Sequence, residues 1–189
     1  MNDADQLRRL LLERSVRRGD FILASGQRSS YYIDCRPTTM SAEGQVLIGR
    51  LGLAALHAAG WQPRGIGGLT MGADPVAYAV AAASWSSGSP IDAFSVRKEA
   101  KSYGAGRLIE GNFQPGDPVV VTEDVITTGG SAERAISAVI EAGGRVLGVL
   151  AVVDREQGGR EHLIERGHKV VSITTTSQLG LVPSAGTAL

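Results

Sequence analysis

The chain has 189 residues, of which 43% are hydrophobic and 20% are charged, as expected for one ordinary globular domain. Lysine plus arginine equals aspartate plus glutamate at 19 each, and the resulting formal net charge of zero argues against nucleic acid or membrane partners. A single cysteine, Cys35, excludes an internal disulfide, and the absence of a signal-like or membrane-length apolar segment leads us to expect a cytoplasmic protein.

The order of predicted elements indicates an α/β fold. An amphipathic helix is predicted over 3–17, followed by two short strands over 21–23 and 31–33 and a helix over 41–59. Strands and helices then alternate: the strands cover 65–69, 91–96, 118–122, 145–153 and 169–173, and the helices 74–86, 131–142 and 159–166. Continuous apolar strands such as Val119–Val121 are typical of a parallel sheet that is buried on both faces.

The strongest functional signal is the segment 119–132, VVVTEDVITTGGSA. A predicted strand ends in two adjacent acids, Glu123 and Asp124, and a turn rich in Thr, Gly and Ser leads into a helix. Backbone N–H groups at such a helix start bind phosphate, and hydroxyl side chains add donors. Because carboxylates repel phosphate, their expected partners are ribose hydroxyls and a metal held by sugar and pyrophosphate oxygens. The segment predicts a phosphoribosyl site; a capped strand–turn–helix would explain Ser131 but not the acids.

This segment resembles the phosphoribosyl-pyrophosphate (PRPP) motif of the type I phosphoribosyltransferases. The resemblance implies an open parallel sheet flanked by helices, in a single domain over 1–189 with a small N-terminal hood, mainly 19–36 plus the C-terminal part. It also implies a Mg²⁺-dependent reaction, with the ion held mainly by substrate near Glu123 and Asp124 and no direct protein ligand assigned. The implied PRPP-binding residues of the segment are Glu123, Asp124, Val125, Ile126, Thr127, Thr128, Gly129, Gly130 and Ser131, of which Asp124 is also expected to be catalytic.

A basic, glycine-containing segment, 96–106 (VRKEAKSYGAG), follows a predicted strand. Its cations could neutralise a leaving pyrophosphate, and its glycines would allow a lid to close; a solvated basic loop is the alternative. The segment resembles the catalytic loop of orotate phosphoribosyltransferases, with Tyr103 where many members have histidine. The resemblance implies catalytic and PRPP-binding roles for Arg97, Lys98, Lys101 and Tyr103. Members are commonly homodimers whose loop reaches into the neighbouring site.

Two further segments carry the same resemblance. Segment 21–32 is similar to the hood element, in which Tyr31 or Tyr32 could border a flat pyrimidine, although two aromatics on a hood strand are equally ordinary. Segment 67–75 is similar to the loop that receives pyrophosphate, where Gly72 either permits an unusual backbone geometry or marks a turn. Lysines that many relatives carry at Ala24, and some carry near Gly72, are absent.

Arg155 follows the predicted strand 145–153, at the end of the sheet where ligands bind in such folds. A guanidinium binds a carboxylate in a fork, and the family's orotate-contacting arginine falls on Arg155; an ion pair with Asp154 or Glu156 is the alternative. The expected orotate-binding residues are Thr127, Arg155, Tyr31 and Tyr32.

Together these features imply transfer of a phosphoribosyl group from PRPP to orotate, giving orotidine 5′-monophosphate and pyrophosphate in pyrimidine biosynthesis. The expected partners are these two small molecules and a second copy of the chain, in a homodimer with shared active sites. Two alternatives stay open: a non-catalytic regulator that keeps this fold, and a phosphoribosyltransferase for another base.

Overall fold

The computed structural model describes residues 2–22, 28–99 and 108–181. Its helices are α1 (Asp3–Arg14), α2 (Arg36–Thr39), α3 (Ala42–Ala58), α4 (Ala73–Trp85), α5 (Gly130–Glu141) and α6 (Gly159–Glu165). Its strands are β1 (Val16–Ile22), β2 (Arg28–Ile33), β3 (Gly65–Leu69), β4 (Asp92–Val96), β5 (Ile109–Gly111), β6 (Pro118–Ile126), β7 (Arg145–Asp154) and β8 (Val170–Thr175). Within these ranges, no helix combines the length and the apolar character that crossing a bilayer requires.

A six-stranded sheet in the order β5-β4-β3-β6-β7-β8 forms the centre of the fold. All neighbouring strands pair in parallel except β4 and β5, which pair antiparallel. Val119 and Val121 pack in one buried cluster with residues of α5, whereas Val120 packs on the other face with residues of α3 and α4. The predicted parallel sheet with both faces buried is therefore confirmed.

A second, two-stranded sheet consists of antiparallel β1 and β2. Apolar side chains of β2 share a buried cluster with α1 and with Val152 and Val153, near the carboxyl end of β7. Leu179 and Leu181, after β8, belong to the same cluster. The small sheet is thus fixed over one end of the large sheet by both ends of the described chain.

Several predicted elements have different bounds in the structure, including the two short strands, which cover Val16–Ile22 and Arg28–Ile33. The first helix ends at Arg14 rather than at 17, because Val16 pairs with Ile33 and starts a strand. That strand is mostly exposed, so its polar residues carry no alternating apolar signal. The strand predicted over 118–122 continues to Ile126, because Val125 pairs with Val153 of β7. The last strand likewise extends to Thr175.

Candidate active site

A cleft of about 620 Å³ opens between the carboxyl ends of β3 and β6. The chain order of the sheet reverses between these two strands, since β4 lies on one side of β3 and β6 on the other. Ligands bind at such switch points in open α/β sheets. Of the predicted site residues, the cleft is lined by Tyr32, Lys98, Glu123, Asp124, Val125, Thr127, Thr128, Ser131 and Arg155.

The two acids lie within β6 rather than after it, and both are largely buried. Burial, and secondarily the neighbouring Asp124 carboxylate, raise the pKa of Glu123 to about 8. Burial also raises the pKa of Asp124, although its Oδ1 accepts the Val125 N–H at 2.9 Å. The Oε1 atom of Glu123 is buried without a hydrogen-bond partner in the described structure. A protonated Glu123 can both donate to and accept from a sugar hydroxyl, and it leaves the pair with less negative charge than two ionised acids would carry.

The turn after β6 leads directly into the N-terminus of α5. Gly129 has φ +84°, and a Cβ there would lie 3.0 Å from the Gly159 carbonyl oxygen, so backbone conformation and space both favour glycine. Thr127, Thr128 and Ser131 line the cleft around this turn. Hydroxyl groups beside a helix N-terminus form a suitable cradle for a phosphate group.

Three predicted phosphate-binding residues of this segment do not line the cleft: Ile126, Gly129 and Gly130. Ile126 belongs to β6, and its side chain is buried in the core, so only its backbone could face a ligand. Gly129 shapes the turn, and Gly130 lines a neighbouring depression. The turn after β6 accordingly begins at Thr127, although Val125, within the strand, also lines the cleft.

Arg155 is 4% exposed and lies directly after β7. Its guanidinium carbon lies 5.2 Å from the centre of the Tyr31 ring, a cation–π distance. Its Nε and Nη2 atoms have no hydrogen-bond partner in the described structure. The acids that could have paired with it accept other donors: Asp154 accepts the Glu156 N–H, and Glu156 accepts the Thr176 hydroxyl and the Ser177 N–H. Arg155 therefore presents buried donors at the cleft wall.

Tyr31 and Arg97 do not line the cleft. Tyr31 is 2% exposed and packs in the core beneath Arg155, so it supports that guanidinium, whereas the half-exposed Tyr32 lines the cleft. The Arg97 guanidinium lies 3.6 Å from the Glu110 carboxylate and borders the neighbouring depression. Lys98 borders both. The predicted loop residues Lys101 and Tyr103 lie outside the described residues.

Gly72 has φ −62° and ψ −41°, ordinary helical values, at the start of α4. Of the two alternatives for Gly72, an unusual backbone conformation at the residue itself is therefore not found. The missing side chain matters instead because Asp124 lies where a Cβ would be. The adjoining loop is held by Asp74, whose carboxylate accepts the Thr70 hydroxyl at 2.6 Å and the Ser95 hydroxyl at 2.7 Å.

Two charged cleft residues, Asp34 and Arg36, were missed by the sequence analysis. Arg36 Nε donates to Asp34 Oδ1 at 2.8 Å, and Nη2 donates to Oδ2 at 2.9 Å. Hydrogen bonding from Arg36 lowers the pKa of Asp34. Their place directly after β2, which ends two residues beyond Tyr31, was the available signal, because residues that follow one strand end share one edge of the fold.

The comparisons with known proteins agree with this geometry. No protein-family model matches the chain. The orotate phosphoribosyltransferase of Aquifex aeolicus is 44% identical over 182 residues, which cover 95% of this chain and 98% of that protein. The crystal structure of Mycobacterium tuberculosis orotate phosphoribosyltransferase in complex with PRPP superposes with a TM-score of 0.81 at 42% identity, covering 95% of this chain and 100% of that one. A phosphoribosyltransferase from Corynebacterium diphtheriae gives a TM-score of 0.84 at 39% identity, covering 96% and 100%. The chain, with its mostly parallel sheet and small antiparallel sheet, belongs to the orotate phosphoribosyltransferase family, whose fold is that of the type I phosphoribosyltransferases.

Proposed function

We propose that this chain transfers the phosphoribosyl group of PRPP to orotate, releasing pyrophosphate and giving orotidine 5′-monophosphate. The observation that carries the proposal is one cleft that combines a phosphate-binding turn, a buried acid pair and a buried arginine with free donors. The first two features suit a phosphorylated ribose, and the third suits the carboxylate that distinguishes orotate from uracil. We further propose that residues 1–189 act as one domain in the cytoplasm.

In this mechanism the protein positions both substrates and stabilises charge. Thr127, Thr128, Ser131 and the start of α5 hold the 5-phosphate, while Glu123 and Asp124 bind the ribose hydroxyls. Arg155 orients orotate so that its ring nitrogen attacks the anomeric carbon as the bond to pyrophosphate breaks. The orotate nitrogen is nucleophilic as an anion, so no covalent enzyme intermediate is required. Preorganised donors that face developing charge typically contribute about 10²–10³ in rate each.

The departing pyrophosphate needs cationic partners. Lys98 lines the cleft at the end of β4 and is the described loop residue placed to bind it. We propose the same role for Lys101 and Tyr103, on the sequence resemblance alone. Binding this group more tightly as its charge develops lowers the barrier, because only interactions that strengthen in the transition state raise turnover.

A divalent ion fits the donors of this cleft. Carboxylate oxygens are the ligands that Mg²⁺ prefers, and Asp124 would supply them, together with Glu123 once the ion displaces its proton. The described residues contain no group of three or more His, Cys, Asp or Glu side chains that could hold an ion. We therefore propose that substrate oxygens complete the coordination of a Mg²⁺ ion beside these acids, where it would neutralise charge on the pyrophosphate. Chelation is expected to abolish turnover, and added Mg²⁺ to restore it.

We also propose a homodimer in which Arg97 serves the neighbouring site. Two features support this: Arg97 borders a depression next to its own cleft rather than the cleft itself, and the side chains of Met71, which lines the cleft, and Tyr78 of α4 are more than half exposed. Co-expression of Arg97→Ala and Asp124→Asn chains tests it. Mixed dimers should regain activity that neither variant has alone, since one site then holds both native residues. Inactive mixed dimers would place Arg97 in its own chain's site.

The substrate assignment is tested by measuring pyrophosphate release with orotate, uracil, adenine and guanine at matched concentrations. We expect release with orotate only. Release with another base in preference to orotate would make the chain a transferase for that base. Tight PRPP binding without release for any base would favour the regulator.

A further inference from the structure

The Asp34–Arg36 pair is a fixed part of the cleft wall. In addition to the two side-chain hydrogen bonds, the Arg36 backbone N–H donates to Asp34 Oδ1 at 3.1 Å. A guanidinium held by both prongs of a carboxylate has a defined plane. The Arg36 side chain nevertheless remains half exposed. Arg36 is therefore orientated before any ligand binds.

The pair lies on the β3 side of the cleft. Arg36 begins α2, and Gln45 of α3 ties the end of that helix to α4 by donating to the carbonyl oxygens of Thr39 and Pro75, the latter at 2.8 Å. The loop before α4 follows β3, whereas Arg155 follows β7, on the other side of β6. Arg36 follows β2 and Arg155 follows β7, so the two arginines belong to different elements of the cleft wall.

The distribution of charge in the cleft indicates a ligand-binding role for Arg36. Arg36, Lys98 and Arg155 are the cations among its described lining residues. Arg155 is buried and suits the carboxylate of orotate, so Lys98 and Arg36 are the cations of the described lining that remain to face a pyrophosphate with several negative charges. Asp34 accepts hydrogen bonds from two side-chain nitrogens of Arg36, and a guanidinium has further N–H groups that one carboxylate leaves available.

An exposed arginine–aspartate pair two residues apart often does no more than stabilise a turn. The location of the Asp34–Arg36 pair in the cleft wall indicates a role beyond stabilising a turn. Arg36 lines the same cleft as Tyr32 and Asp124, and Asp34 chiefly, with Tyr32 and Asp124 to a smaller extent, raises the pKa of Arg36. Arginine is also the side chain whose planar fork best matches phosphate oxygens.

We propose that Arg36, held in position by Asp34, binds the pyrophosphate group of PRPP directly, in addition to Lys98. This role rests on the proposed function, because it assigns a residue to the leaving group of that reaction. Arg36 acts as a ligand-contacting residue, and Asp34 acts as a positioning residue.

The test measures binding of three probes to Arg36→Gln: pyrophosphate, ribose 5-phosphate and orotate. Ribose 5-phosphate fills the phosphate turn and the acid pair but lacks the pyrophosphate. We expect pyrophosphate affinity to fall about 10- to 100-fold, as for loss of a hydrogen bond to a charged group, with ribose 5-phosphate and orotate within about two-fold of wild type. Arg36→Lys should recover part of the loss, because it restores the charge but not the fork.

Arg64→Gln is the matched control, since Arg64 also pairs with an aspartate, Asp117, but does not line the cleft. It should bind all three probes as the wild type does. Asp34→Asn should lower the affinity for pyrophosphate less than Arg36→Gln does, because the Asp34 substitution frees the guanidinium but does not remove it. Unchanged pyrophosphate affinity in a folded Arg36→Gln variant would overturn the proposal, as would an equal loss for all three probes. Turnover of orotate by the wild type is measured separately, so failure of the substrate assignment is distinguishable from failure of this contact.

Discussion

The carboxylate of Asp124 occupies the space that a side chain at Gly72 would take. A Cβ atom at Gly72 would lie 2.6 Å from Asp124 Oδ1, closer than such atoms approach in proteins. Gly72 ends the loop after β3, and Asp124 lies in β6, so the two strand ends that form the cleft meet at this contact. Small size, rather than backbone freedom, is therefore what position 72 requires.

Gly72→Ala should lower turnover and PRPP affinity while leaving the protein folded. The backbone at Gly72 is already helical, and replacing glycine with alanine at such a position stabilises a protein by about 0.4–1 kcal/mol when nothing clashes. The methyl group must instead displace the Asp124 carboxylate from the position where it binds ribose. Steady-state kinetics and urea unfolding check both parts. Normal PRPP affinity would show that the Asp124 carboxylate can move without cost to the site.

The α/β alternation and the phosphoribosyl segment could be predicted because both are local. Val119–Val121 is apolar whatever surrounds it, and the spacing of acids, turn and helix lies within one short stretch. The bounds of β6 and β1 depend on partners elsewhere in the chain, such as Val153 for Val125 and Ile33 for Val16, and no local pattern encodes those pairings.

The burial of Tyr31 and the role of Gly72 were unpredictable for a related reason. Both follow from close approach in space: Arg155 lies over the Tyr31 ring, and Asp124 lies against Gly72. Arg36 was overlooked because its place after β2 was the available signal, and an arginine two residues after an aspartate adds no distinctive pattern to it. Only the folded structure brings it to the cleft.

The buried Glu123 should make stability fall as pH rises. The folded pKa of about 8 exceeds the ordinary value of 4.5, so the folded state retains a proton that the unfolded state loses. Stability from this group is fully present below pH 4.5 and is lost as pH rises through 8. The free energy of unfolding, relative to Glu123→Gln, should therefore fall between pH 5 and pH 9 by up to about 4 kcal/mol.

Urea unfolding of the wild type and Glu123→Gln across that pH range measures the difference. Glu165→Gln, which removes an exposed acid at the end of α6, controls for the loss of one charge and should follow the wild type. A constant difference between the wild type and Glu123→Gln would mean that Glu123 is ionised throughout. The burial argument would then be wrong.

Gly129→Ala should destabilise the protein and weaken the 5-phosphate site together. The φ of +84° costs a residue with a side chain about 1–2 kcal/mol, and the new Cβ would press on the Gly159 carbonyl oxygen. Gly130→Ala is the control for stability, because its Cβ would meet only Thr128 Oγ1, at 3.8 Å. Thermal unfolding and ribose 5-phosphate binding provide the two measurements. Equal stability of the two variants would contradict this account of the turn.

Arg155→Met should abolish orotate binding without destabilising the protein. Arg155 is buried, and its Nε and Nη2 atoms have no hydrogen-bond partner among the described residues, which leave the guanidinium as a desolvated charge with unsatisfied donors. Replacing such a group with an apolar side chain of similar length is neutral or stabilising in many proteins, by roughly 1–4 kcal/mol. The cation–π contact with Tyr31 offsets only part of that gain, since such contacts contribute about 0.5–2 kcal/mol.

The affinity of the Arg155→Met variant for orotate should fall, although its stability should not. Removing one partner of a buried, charge-assisted pair costs about 2–5 kcal/mol of binding, so orotate should bind tens to thousands of times more weakly while PRPP affinity stays near wild type. Arg155→Lys keeps the charge and should show a smaller loss. Separate titrations of orotate, uracil and PRPP, with the melting temperature of each variant, distinguish the outcomes. If orotate and PRPP weaken equally and the melting temperature falls, Arg155 holds the hood to the sheet, and the orotate carboxylate binds elsewhere, with Thr127 the next candidate. If only the affinity for orotate falls and the melting temperature is unchanged or higher, the buried donors of Arg155 bind the substrate and do not stabilise the fold.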